Sequence, residues 1–249
     1  MRSGRTRPAL LGCEDSQGNS AGEFVVKLKG GPEIGLKGVT CELIATLVAG
    51  HLGILAPQPA LIEIETAFAD AVSASDAEMA GLIRASVGLN FGSQLLSGGF
   101  RNWPVDQPVP LSMRQAASEV FAFDALIQNP DRRYNNPNLL SRDDQIFVID
   151  HDLAFSFLYA LGTQSAPWVL DGLAFLDHHV FFRQLKGTQV KFERFVGALE
   201  ALSDKKISQI AGLIPQEWET EHLVRVIEHL RLLRDHAAEF GQQVQRRLV

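Results

Sequence analysis

Residues 8–12 and 23–29, rich in apolar positions, read as two short strands, and the polar run Glu14 to Gly22 between them predicts a turn. Over residues 38–52 the period lengthens. Val39, Leu43, Leu47 and Val48 recur at helical spacing, Gly53 supplies a C-cap, and Pro57 and Pro59 forbid continuation. Residues 60–65 alternate apolar with acidic and read as a half-buried strand. Ser75 and Glu78 form a capping box for a second helix, and residues 86–96 include a further strand. Ser97-Gly98-Gly99 then reads as a hinge, after which the pattern turns helical. Ser112 and Gln115 cap a helix whose stripe runs Ala116, Val120, Phe123, Ile127, and Asn129-Pro130 stops it. A hairpin is expected to pair Asn138–Leu140 with Ile146–Ile149 across residues 141–144. From about Val169 helices dominate, ending in one long helix from Glu217 to about Val244 with Leu223, Val226, Ile227, Leu230 and Leu233 on one face. The expected fold class is α+β: a small mixed part over residues 1–97 and a larger, mainly helical part over residues 98–249, hinged near residues 93–99.

Composition narrows the function classes. With 46% hydrophobic and 21% charged residues the chain can build a packed core, so wholesale disorder is excluded. A net charge of −6 argues against a general nucleic-acid or membrane-surface binder; a local basic patch would draw on Arg5, Arg7, Arg132 and Arg133. Cys13 and Cys41 make neither a disulfide framework nor a CxxC pattern and read as reduced thiols. The basic N-terminus lacks the apolar stretch of a signal peptide, and no apolar run approaches the ~18–20 residues that span a bilayer. The expected location is cytoplasmic.

The segment from Asn129 to Asp150 carries the chemistry. Phosphoryl transfer asks a protein for a carboxylate at the acceptor, oxygen ligands for a metal, and a lysine for phosphates. Asp131 and Asn136 have the D-x-x-x-x-N spacing of a kinase catalytic loop, and Asp150 follows at the end of an apolar strand. Spacing alone is weak, because Asp124 and Asn129 reproduce it. What separates them is context: helix, Asn-Pro break, polar loop, hairpin, acid. Upstream, Lys27 lies in an apolar run, with Lys29 on the same strand face as a competitor, and Glu42 lies on the next helix. Gly18 belongs to a flexible run whose amides can approach an anion. Asp177-His178-His179 lacks a helical-spaced partner and reads as structural or surface rather than metal-binding. His51 and His151 read as local hydrogen-bonding residues, and Trp103, Trp168 and Trp218 as packing residues.

The string Asn129-Pro-Asp-Arg-Arg-Tyr-Asn-Asn-Pro-Asn-Leu-Leu140, with Ile149-Asp150-His151, resembles the N-x-D-R-H-x-x-N…I-D-H signature of HipA-like kinases, with a more distant likeness to phosphoinositide lipid kinases. Phe24-Val-Val-Lys27-Leu-Lys-Gly30 is similar to that family's lysine strand, and Glu42 to its lysine-pairing acid. The resemblance covers residues 23–155 and implies a bilobal protein-kinase-like fold. It also implies roles: Asp131 catalytic, Asn136 and Asp150 holding Mg²⁺, Lys27 on the ATP phosphates with Glu42 fixing it, and Gly18 closing over the phosphates. Asp152 would be a supporting acid or an alternative ligand. One position departs, since Arg133 stands where relatives carry His. Neither a G-x-G-x-x-G loop, nor a P-loop, nor an A-P-E motif is present, so an ordinary eukaryotic-type protein kinase is not expected. The resemblance implies ATP and Mg²⁺, a Ser/Thr protein acceptor and an antitoxin-like partner; no helix-turn-helix is evident, and neither direct nucleic-acid binding nor a membrane is expected. A nucleotide-binding pseudokinase and a kinase of small molecules or lipid headgroups stand as alternatives.

Overall fold

The computed structural model describes residues 8–31, 35–72, 77–160, 165–218 and 221–249. Strands β1 (Ala9–Glu14) and β2 (Ser20–Lys27) form an antiparallel hairpin whose turn is built by Asp15: its carboxylate accepts the amides of Gln17 and Asn19 at 2.8 and 2.9 Å. The expected turn, Glu14 to Gly22, is thus shorter than the polar run. With β3 (Pro59–Ile64) and β4 (Gly88–Gln94) the hairpin makes an antiparallel sheet of order β1-β2-β4-β3. Helices α2 (Thr66–Val72) and α3 (Ala77–Ala85) follow β3, and Phe24, Val26, Leu28, Ile64, Ala69 and Ile83 form a small core of their own. The capping box expected at Ser75 lies outside the described residues.

Helix α1 (Gly35–Leu52) belongs to the larger core. It is apolar nearly all round, as a helix enclosed on every side must be. It ends as a Schellman motif, with Gly53 at φ 73°, Gly53 N–H on the Gly50 carbonyl and Ile54 N–H on that of Ala49.

Beyond Gly98 and Gly99, both at positive φ, a second sheet of order β5-β6-β7 joins Arg101–Asn102, Leu139–Arg142 and Gln145–Val148. The β6–β7 turn is Asp143-Asp144 alone, tighter than the four residues expected, with Asp143 at φ 51°. Strand β5 was not legible from periodicity, being two residues long. Helix α4 (Arg114–Leu126) packs on this sheet through a fully buried body. Ser112 does not cap it: residues 111–113 form a 3-10 turn and Met113 occupies the cap position without a side-chain bond.

Helices α5 (Phe182–Leu185), α6 (Glu193–Glu200) and α7 (Asp204–Gly212) complete the main core together with the C-terminal segment. The single helix expected from Glu217 to Val244 is instead a 3-10 turn at Gln216–Trp218, then α8 (Glu221–Asp235) and α9 (Ala237–Leu248). The break falls at His236, non-helical at ψ 32°, whose ring stacks on Trp168 at 3.5 Å; the change of direction buries Phe240, Val244 and Leu248. No helix among the described residues is long and apolar enough to cross a membrane. The whole is a mixed α+β fold, with a small antiparallel sheet and many helices.

Candidate active site

Three elements converge on one buried ammonium. Lys27 closes β2, Glu42 projects from the second turn of α1, and Asp150 follows β7. The Lys27 Nζ donates to both carboxylates and stands 3.5 Å from Asp152 Oδ2. Glu42 is also bonded by the His151 backbone N–H at 2.8 Å, so the segment after β7 is tied to α1. Lys29, the competitor from sequence, turns away and pairs with Glu217 at 2.9 Å.

The electrostatics follow from burial. Desolvation disfavours the Lys27 charge, yet Glu42, Asp150 and Asp152 outweigh it and hold the ammonium charged well above the ordinary lysine range. Burial would raise Glu42, but Lys27 and His151 hold it down at about 2. Asp152 goes the other way, pushed up to about 6 by burial and by repulsion from Asp150 and Glu42 against the pull of Lys27. Glu42, Asp150 and Asp152 each offer an oxygen, all within 4.8 Å of one another.

Asp150 sits at φ 64°, a left-handed backbone that a short acid tolerates better than most residues. Its side chain keeps an open side, at 31% exposure, whereas Glu42 is enclosed at 2%.

The Asn129–Asn138 loop presents a second carboxylate. Asp131 Oδ2 accepts the Asn136 amide at 2.8 Å and the Asn138 amide at 3.0 Å, while Asn129 Oδ1 receives the Asp131 N–H at 3.1 Å. Burial raises the Asp131 carboxyl above its ordinary value and Asp150 adds to this, against the stabilising Asn138 bond and the two arginines. Arg133, half-exposed, folds back so that Nη2 stands 3.3 Å from Asp131 Oδ1. Asn138 was not singled out from sequence as a site residue; its φ of 49°, in a segment read as strand, is what aims it back at Asp131.

The remaining expectations divide. Gly18, at φ 80°, lies at the exposed turn before β2, and the eight residues of that strand put roughly 23 Å between the turn and Lys27, so the two are not brought together here. Arg132 is fully buried and pairs with Asp124, so it cannot feed a basic patch; Arg5 and Arg7 lie outside the described residues. Asp177-His178-His179 splits into Asp177, paired with Arg247, an exposed His178, and a buried His179 bonded to Asp124. His51 bonds the Ala198 carbonyl at 3.0 Å.

An ammonium held by a buried glutamate, two further acids around it, and a loop carboxylate braced by asparagines can together bind phosphates, hold a hard cation and orient a hydroxyl. A search among curated proteins finds no match. The family model described as HipA-like kinase matches residues 1–240, nearly the whole chain. The chain belongs to the HipA-like kinase family.

Proposed function

We propose that this chain is an ATP-dependent phosphotransferase that transfers the γ-phosphoryl group to a Ser or Thr hydroxyl of a protein. The observation that carries the reading is the simultaneous pairing of Lys27 with Glu42 and Asp150, beside a loop that presents Asp131. In this reading residues 1–97 form one lobe and residues 98–249 the other, dividing where Ser97 meets two glycines of positive φ, and the protein works in the cytoplasm.

Each site residue then has a task. Lys27, fixed by Glu42, would neutralise phosphate oxygens. Asp131 would orient the acceptor hydroxyl and take its proton, a role aided by its raised pKa. The Asn136 and Asn138 amides hold Oδ2 of the Asp131 carboxylate, so that Oδ1 would be the oxygen to meet the acceptor. The donor set fits a magnesium ion: Asp150, which keeps an open side, and the more enclosed Asp152 would supply hard oxygens, and Asn136 a further amide oxygen. Glu42 is already committed to Lys27 and the His151 amide. Magnesium, when bound, supplies charge neutralisation on the nucleotide phosphates. The glycine-containing turn at Gly18 would have to fold over along β2 to reach them. The protein acceptor and an antitoxin-like partner rest on the family resemblance.

A second reading, a nucleotide-binding pseudokinase, is favoured by one contact: Arg133 occupies the Asp131 oxygen that an acceptor would need. Thermal stabilisation by ATP with Mg²⁺ tests the nucleotide site common to both readings. A shift in the wild type that disappears in Asp150→Ala is expected; no shift in the wild type sinks both.

A further inference from the structure

The Asp124–Asn129 pair, which mimics the catalytic spacing, has a different place in the molecule. Asp124 lies in the last turn of α4 with no exposure at all. Its Oδ2 accepts from Arg132 Nε at 2.5 Å and from His179 Nε2 at 2.9 Å, and its Oδ1 from Asn129 Nδ2 at 3.1 Å. The His179 Nδ1 accepts the Phe181 N–H at 3.1 Å, which leaves the ring proton on Nε2, pointing at Asp124. One carboxylate therefore ties the Asn129–Asn138 loop, at two points, to the turn that carries His179.

Each of the three partners leads on to the site. Asn129 passes through its own Oδ1 to the Asp131 N–H. The Arg132 Nη1 donates to the carbonyl of Asn138, whose amide braces Asp131, and at 3.0 Å to the carbonyl of Ile149, the residue before Asp150. The Arg132 carbonyl receives the Val180 N–H at 3.0 Å, linking the loop to the His179 turn. A buried ion pair contributes little net stability that apolar packing would not, so its position asks for another explanation. This one lies where the acid-bearing loop and the strand end carrying Asp150 must keep a fixed separation.

Resting on the phosphotransferase reading above, we infer that Asp124 is a positioning residue: with Arg132 and His179 it clamps the Asp131 loop and the Asp150 segment into one rigid unit. Its removal should lower turnover rather than nucleotide affinity.

The test pairs kinetics with hydrogen exchange, which reads the clamp whether or not the chain proves to transfer phosphate. Asp124→Asn leaves Arg132 buried and uncompensated and can fail to fold, so the double variant Asp124→Asn/Arg132→Met, which removes both charges, is measured beside it. In the double variant, exchange in residues 129–151 is expected to rise about tenfold with the β1–β4 sheet unchanged. Turnover should fall roughly 100-fold, the scale of a misplaced catalytic group, with the KM for ATP within about threefold of wild type. Exchange that rises uniformly, or protection of residues 129–151 that stays intact, would overturn the inference. A wild type that transfers no phosphate removes the phosphotransferase reading, while the exchange pattern still decides for or against the clamp.

Discussion

Lys27 and Asp150, separated by 123 positions in sequence, form an ion pair that Glu42 completes from a third element. The pair joins the end of the N-terminal sheet to the end of the β6–β7 hairpin. It also encloses the Glu42 carboxylate, which is almost wholly buried.

Removing the ammonium should therefore cost more than its surface neighbours suggest. Lys27→Met leaves Glu42 buried and charged, a situation worth about 3–5 kcal/mol of lost stability. Adding Glu42→Gln should restore most of it. Urea unfolding measures both; a single variant within about 1 kcal/mol of wild type, the size of a surface ion pair, would show that Glu42 is not confined as described.

Arg133 gives an expectation opposite in sign to the usual active-site substitution. Its guanidinium stands on Asp131 Oδ1, the one carboxylate oxygen that Asn136 and Asn138 leave open. Arg133→Ala frees that oxygen and removes a charge that lowers the Asp131 pKa, so a roughly 2–5-fold faster transfer is expected at neutral pH. A loss greater than about tenfold in a folded variant would assign Arg133 a productive role instead.

His229 sets an acid limit on stability. Buried against Phe157 and bonded to the Leu126 carbonyl at 2.7 Å, its ring is held down to about 4 by burial, against about 6.5 when the chain unfolds. The unfolded chain thus binds a proton that the folded one refuses. Its contribution is fully present above about pH 6.5 and is lost as pH falls towards 4, by about 2 kcal/mol between pH 7 and pH 5. His229→Gln keeps the donor and should give a shallower slope in urea titrations; buried His179, lowered in the same direction, adds to the remaining slope, and Asp152, raised to about 6, opposes it. An unchanged slope would contradict this.

What could be read in the sequence was local or contiguous. The Asn-Pro break, the hairpin and Asp150 lie within 22 residues, the strand carrying Lys27 announces itself by its apolar run, and the helix carrying Glu42 by its period. The hidden features depend on contacts that no period records. Asp124 reads as a chance match because its partner His179 is 55 residues on, in a triplet read as structural or surface with nothing in its spacing to name a partner. Asn138 reads as strand because its left-handed backbone has no signature in an Asn-Leu-Leu string. The α8–α9 break has no mark in the sequence, since the apolar stripe runs through it; the non-helical backbone of His236 and its stacking on Trp168 make the corner. Lys27 and Lys29 were equivalent by strand face, and it took Glu217 to draw one of them aside.

Transfer of a phosphoryl group with Asp131 as the acid-base residue is tested by incubating the protein with γ-labelled ATP and Mg²⁺, alone and with a cell lysate, and locating the label by mass spectrometry. Label on Ser or Thr of the chain or of a lysate protein, reduced at least 100-fold, within the ~10²–10⁴ range of general-base loss, in an Asp131→Asn variant that still binds ATP, is the result expected. Nucleotide binding with no transfer by the wild type, or transfer undiminished in Asp131→Asn, would contradict it.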